Sequence, residues 1–153
     1  MLNSHLTINN RVLEDQPFDL VISTHVCRGN YHSTWAARGG YLPIAPLLFA
    51  REKVHTLYLE FDDERSGGFA PLRYVSPDKT VVLGLVTTKR PDLEDPERIR
   101  ERIKEAAQYV PLSRLSLSPQ CGFASTEIGN KLTEEDQWKK IALVRDIAQT
   151  VWG

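Results

Sequence analysis

Four side chains offer the chemistry in this sequence. His25 and Cys27 stand two positions apart in Thr24-His25-Val26-Cys27-Arg28-Gly29-Asn30, Glu60 opens Glu60-Phe61-Asp62-Asp63-Glu64, and Cys121 lies in Ser118-Pro119-Gln120-Cys121-Gly122. In an extended segment, residues i and i+2 project to the same side, so one ion can take both His25 and Cys27. One imidazole nitrogen, two thiolate sulfurs and one carboxylate oxygen suit zinc, which favours four N, S or O ligands in tetrahedral geometry. The ligand charges then select a reaction. A dication with two thiolates and a carboxylate carries a net negative charge, which makes it a weak activator of water. It is better suited to hold a substrate thiol as a nucleophilic sulfur anion. The pattern therefore favours sulfur alkylation over hydrolysis by metal-bound water. His-x-Cys alone is a weak signal, and two scattered cysteines read equally well as small buried packing residues.

Further polar residues cluster at the same places. Arg28, Asn30 and Asp62 are candidate substrate contacts, as is Arg65; an exposed loop arginine is more often simply solvated. Within the acidic run Asp62-Asp63-Glu64, one carboxylate is a candidate to orient His25 from behind, against the plainer reading of loop solvation or helix entry. Ser66-Gly67-Gly68 reads as a turn. His5, His32 and His55 lack spaced partners. Tyr31, Trp35, Trp138 and Trp152 read as packing residues.

These groups follow short apolar runs that alternate with amphipathic stretches. Leu20-Val21-Ile22, Leu57-Tyr58-Leu59, Thr80 to Val86 and Leu115-Ser116-Leu117 read as buried parallel strands. Tyr41 to Lys53, Pro96 to Val110 and the stretch after Thr133 read as helices. Asp95 is placed to cap the second helix with Pro96 at its first position, and Thr133-Glu134-Glu135-Asp136 resembles a capping box. Trp138, Ile141, Val144, Ala148 and Val151 repeat at helical spacing on the third. Strand–helix alternation implies βα units with functional groups at the carboxyl ends of the strands. The 153 residues are too few for an eight-stranded barrel of roughly 250. They fit half of one, or a small doubly wound sheet.

Composition removes other classes. With 20 acidic residues against 19 basic ones and a net charge of −1, there is no basic stripe for nucleic acid. No apolar run reaches the ~20 residues that span a bilayer, and no secretory signal pattern opens the chain. A soluble, cytoplasmic protein without nucleic-acid or membrane partners is expected. Two cysteines far apart in such a chain do not suggest a disulfide framework.

The stretches THVCRGNYHS, GGYLPIAPLLF, LYLEFDDERSGGFAPLRYV, KTVVLGLVTTK and LSLSPQCGFASTEIGNKLTEEDQWKKIALV resemble the C-terminal part of the cobalamin-independent methionine synthase family, especially its shorter single-barrel bacterial members. The resemblance covers about Asn3 to Trp152. It implies an α/β fold of parallel βα repeats, about four βα units forming the C-terminal half of a (β/α)8 TIM barrel, with residues 1–153 as one partial-barrel domain. It implies a zinc ion on His25, Cys27, Glu60 and Cys121, and no corrinoid. The implied reaction is methyl transfer from 5-methyltetrahydropteroyl-glutamate to the homocysteine thiolate, or a related thiol. Larger family members carry a histidine after the seventh strand that can act as an acid. Here that loop reads Thr87-Thr88-Lys89, which makes Lys89 the candidate replacement. Family members are far longer, and the opening residues match the end of the family's fourth barrel helix. A catalytically incomplete zinc-binding fragment is therefore the alternative, and the open sheet edges of half a barrel predict self-association.

Overall fold

The structure, a computed structural model, describes residues 2–153. Its elements run α1 (Leu2–Val12), β1 (Ser23–Val26), α2 (Ala45–Arg51), β2 (Thr56–Glu60), β3 (Thr80–Val86), α3 (Pro96–Ala106), β4 (Leu115–Pro119) and α4 (Glu134–Trp152), with 3-10 turns at Glu64–Ser66, Ala70–Tyr74 and Leu112–Arg114. The four strands form one sheet in the order β1-β2-β3-β4, and every neighbouring pair is parallel. This order separates the two expected architectures. A doubly wound sheet reverses its strand order at a switch point. A sheet wound in one direction, with right-handed crossovers, keeps its helices on one side and curves as a barrel does. The chain is four consecutive βα units of that kind.

One sheet face is the core. Leu57, Leu59, Val81, Leu83 and Leu115 pack against Ala45, Phe49, Ile99, Ile103, Ala106 and Ile147. The opposite face carries the row His25, Tyr58, Val82 and Ser116, and it is open enough that Tyr58 remains 39% exposed. Thr56 and Thr80 pair their hydroxyls at 2.8 Å across this face. Gly84 is required where β3 passes under the end of β4, because a Cβ there would lie 2.7 Å from the Gln120 Cα and 3.0 Å from the Leu59 carbonyl oxygen. The register slips at that point, which turns the chain after β4 over the sheet end.

The helix boundaries follow local chemistry. The Asp95 side chain accepts from the Glu97 amide and Pro96 enters the first turn of α3. Thr133 and Asp136 form a complete capping box on α4. Leu2–Val12 forms the helix α1.

Three expectations need correction. The first strand is not Leu20-Val21-Ile22 but the following Ser23–Val26, and Val21 is 70% exposed. The apolar run only leads into the strand, held where His55 and Ile22 exchange two hydrogen bonds. The helix expected over Tyr41 to Lys53 is shorter, Ala45–Arg51 with Pro46 in its first turn; Tyr41 stands before it. Trp138 is 58% exposed rather than packed, its indole donating to Glu134. The buried face of α4 contains Lys140 and Ile147. Lys140 reaches inward because Glu94 and the Asp92 carbonyl receive its ammonium, at 3.1 and 2.6 Å. A hydrophobic pattern cannot announce a buried lysine. Among the described residues no helix is long and apolar enough to cross a membrane.

Candidate metal centre

The sheet brings the four chemical side chains together at its carboxyl edge. His25 lies on β1, Cys27 directly after it, Glu60 ends β2, and Cys121 follows β4 by two residues. Their ligand atoms all lie within 4.8 Å of one another. The two sulfurs are 4.0 Å apart, and His25 Nε2 stands 3.6 Å from Glu60 Oε1. A tetrahedral zinc site needs about 3.8 Å between sulfurs and about 3.3 Å between a nitrogen and an oxygen ligand. Glu60 Oε2 accepts from the Arg28 amide at 3.2 Å. Glu60 Oε1 is buried with no hydrogen-bond partner. A buried carboxylate oxygen left without a donor is costly, and a cation among these four groups relieves that cost. The residues present therefore fit a zinc ion.

A surrounding frame holds the groups in place. The Tyr41 hydroxyl accepts from the Glu60 amide at 2.8 Å and donates to the Val26 carbonyl at 3.3 Å, which locks the ends of β1 and β2 together. The Arg28 guanidinium lies 3.7 Å over the Tyr41 ring and donates to the carbonyls of Glu60 and Gly39. Gly29, at φ 95°, donates its amide to Cys27 Sγ at 3.3 Å. A Cβ there would meet the Ala36 nitrogen at 2.5 Å, so only glycine allows that turn. Asn30 donates to the Gly122 carbonyl at 2.6 Å and to Ser125 Oγ at 2.8 Å, and its own oxygen accepts from Asn130 at 2.8 Å. Ser125 Oγ in turn lies 3.6 Å from Cys121 Sγ. Arg28 and Asn30, expected at the substrate, are both buried and tie the ligand-bearing loops to each other.

The groups perturb one another's protonation. Contact with Cys121, then with Glu60, raises His25 to about 10. The same contact with His25 lowers Cys121 to about 7. Burial pushes the Cys27 thiol up. Burial also pushes the Glu60 carboxyl up, but the His25 contact and the charge of Lys89 hold it below its ordinary value. In the absence of a metal, the imidazole thus serves as the local cation for two anionic ligands.

Asp62, Arg65 and Lys89 form a second charged group beside this one. Lys89 Nζ lies 3.4 Å from Asp62 Oδ2 and Arg65 Nη2 lies 3.3 Å from Asp62 Oδ1, all three side chains being buried. Asp63 caps the 3-10 turn at Glu64–Ser66. The acidic run thus serves Arg65, Lys89 and the turn, and the candidate role of orienting His25 is not what the structure shows. Trp35 lies under the Arg65 guanidinium, 5.2 Å from it, and Tyr31 is exposed rather than packed. Sequence reasoning missed Tyr41, Thr88, Gln120, Ser125 and Asn130. Gln120 and Ser125 at least adjoin Cys121 in sequence; Tyr41 and Asn130 carry no spacing signal at all.

Residues 17–149 match the family described as "Cobalamin-independent synthase, Catalytic domain". Two uncharacterized proteins of Bacillus subtilis (strain 168) are similar. YxjG is 55% identical over 144 residues, 94% of this chain and 38% of that protein. YxjH is 55% identical over 147 residues, 95% of this chain and 39% of its own length. The crystal structure of the putative vitamin-B12 independent methionine synthase from Listeria monocytogenes superposes with a TM-score of 0.78 at 40% identity, covering 99% of this chain and 41% of that one. The B12-independent methionine synthase from Shewanella sp. W3-18-1, solved in complex with selenomethionine, superposes with a TM-score of 0.74 at 16% identity, over 95% of this chain and 42% of that one, a likeness of fold. The chain spans about two fifths of the length of the relatives it matches.

Proposed function

This chain belongs to the cobalamin-independent synthase family through its catalytic domain, and from that premise we propose that it carries the metal-binding half of a zinc-dependent methyltransferase. The reaction is transfer of a methyl group from 5-methyltetrahydropteroyl-glutamate to the sulfur of homocysteine, giving methionine without a corrinoid. One observation carries this reading: His25, Cys27, Glu60 and Cys121 bring their ligand atoms within 4.8 Å of one another. Those four residues are the proposed zinc ligands. A zinc ion bound there supplies an electron-rich centre that keeps a thiol deprotonated and nucleophilic.

The chain's own groups have defined tasks. Arg28, through Tyr41 and the Glu60 carbonyl, holds the ends of β1 and β2 in register under the acceptor. Asn30 fixes the loop that carries Cys121. When sulfur attacks the methyl carbon, the C–N bond to the donor breaks and its nitrogen needs a proton. Lys89 is the proposed source, with Asp62 orienting its ammonium; the 3.4 Å contact between them and the placement of Lys89 just past β3 support this. Both Asp62 oxygens are engaged by Arg65 and Lys89, so Asp62 acts on the substrates through Lys89.

The test is metal analysis together with methyl transfer. The chain is expected to hold about one zinc per molecule and to methylate homocysteine when supplied with the remaining barrel strands of a relative. A chain without bound zinc overturns the reading. A second reading is a zinc-binding fragment without catalysis. Zinc binding without thiol methylation, even in the complemented assembly, would establish that one.

A further inference from the structure

Each of the two proposed thiolate ligands has a hydrogen-bond donor from outside the ligand set. Cys27 Sγ takes the backbone amide of Gly29 at 3.3 Å. Cys121 Sγ lies 3.6 Å from the Ser125 hydroxyl, within reach because sulfur is larger than oxygen and accepts at longer range. The direction of the second bond follows from its neighbours. The Gly122 carbonyl can only accept, so the Asn30 amide nitrogen must face it, and the same nitrogen donates to Ser125 Oγ at 2.8 Å. Asn130, whose own nitrogen is fixed by the Thr88 carbonyl, donates to the Asn30 oxygen and demands the same orientation. Ser125 thus accepts from Asn30, and its single hydrogen is left for Cys121. A thiolate bound to a cation has no hydrogen of its own, so with a metal in place the serine is again the donor.

We propose that the Ser125 hydroxyl damps the nucleophilicity of the Cys121 sulfur, so that an electrophilic methyl group is taken by the substrate sulfur and not by the protein. This rests on the methyl-transfer reading above. A centre that keeps a substrate thiol deprotonated also keeps its two cysteine ligands as thiolates, and all of them compete for the same carbon. Burial does not settle that competition, because Cys27 is exposed and Cys121 partly so. Cys121 is the sulfur at risk. It walls a cavity of about 310 Å³ with His25 and Tyr58, and Cys27 is not among the residues that do. Attack by Cys121 would form an S–CH3 bond, break the donor's C–N bond and leave its electron pair on nitrogen for a proton, with a thioether in place of a thiolate ligand. A hydrogen bond to the ionised sulfur stabilises the charge that such an attack must spend. Ser125 is a positioning residue in this account, acting through Cys121, and Asn30 aims its hydrogen.

The test alkylates the zinc-loaded chain with iodoacetamide, an electrophile from which either thiolate displaces iodide. Initial rates at Cys27 and Cys121 are followed separately by peptide mass spectrometry, and zinc release is read with a chromogenic chelator. Gly29 keeps its amide on Cys27 in every variant, which makes Cys27 the internal reference. In Ser125→Ala the rate at Cys121 is expected to rise about fivefold relative to Cys27, and in Ser125→Thr, which keeps a hydroxyl, to stay within about twofold of the unaltered chain. Zinc release should follow alkylation of Cys121 and not precede it. An unchanged ratio in Ser125→Ala overturns the proposal. An equal rise at both cysteines reports a loosened site and overturns it as well, as does Ser125→Thr reacting as fast as Ser125→Ala. If the unaltered chain holds no zinc, the methyl-transfer reading falls and takes this inference with it. A chain that holds zinc and keeps its ratio in Ser125→Ala removes Ser125 alone.

Discussion

Glu60 shows how one residue joins a structural and a chemical role. One carboxylate oxygen takes the Arg28 amide, the other is left bare in a buried setting, and that division leaves a strand-end carboxylate oxygen free for a cation. Replacement of Cys121 by serine is expected to abolish stoichiometric zinc binding, measured by mass spectrometry under native conditions. Tyr41→Phe removes the hydroxyl shared by the ends of β1 and β2, and it is expected to weaken zinc affinity by about 10-fold in a chelator competition. Thiol reactivity of the metal-stripped chain tests the electrostatics. Because His25 pulls Cys121 down to about 7, alkylation of that thiol rises to half its maximum near neutral pH, and ahead of Cys27. His25→Asn removes the main cause of the shift, so the midpoint must move to higher pH. A midpoint that does not move would show that His25 and Cys121 do not interact. His25, Cys27, Glu60 and Cys121 were all legible in the sequence because their types are rare and chemically distinct. Tyr41 and Gln120 were not, since tyrosine and glutamine are common in loops and nothing in their spacing marks them.

At the scale of elements, the end of β4 and the loop after β3 decide where Cys121 and Lys89 sit. Gly84→Ala would place a Cβ 2.7 Å from the Gln120 Cα, backbone that cannot swing aside. A cost of about 1–3 kcal/mol is expected in urea unfolding, with reduced zinc affinity from the displaced Cys121. The loop after β3 is held by the Thr87 amide donating to Glu94 at 2.8 Å and by the fully buried Lys140 ammonium on the same carboxylate. Lys140→Met leaves that carboxylate without its cation, and a loss of about 3–5 kcal/mol is expected. The double variant with Glu94→Gln should recover part of it. No recovery would show that the lysine acts by packing alone. Capped helices such as α3 and α4 were readable from sequence because a cap needs only a few neighbouring residues. β1 was misplaced because an apolar run is a poor guide to an edge strand whose face toward the site is polar.

The described residues form four parallel βα units, with β1 and β4 at the two edges of their sheet. The face that carries His25 and Tyr58 is open on the side away from the helices. Parallel edges of this kind pair with further strands where they find them, so self-association is expected on its own. In sedimentation, sample concentration should raise the mean mass, and Tyr58→Glu should lower it by placing charge on the open face. A monodisperse monomer at high concentration would count against this. In a complemented barrel the added strands should cover the same face, so complementation and self-association compete.

The amino-acid sequence by itself determined the class of the fold, the four candidate ligands and the helix caps, since each depends on residue type and short-range spacing. Only the tertiary structure decided the rest. The sequential strand order excluded a doubly wound sheet, the three strand ends that carry the ligands came within reach of one another, and Asp62 turned toward Arg65 and Lys89 rather than His25. Those outcomes depend on how distant segments cross and stack, and on which buried charges and donors find partners across the sheet. Local pattern holds no record of either.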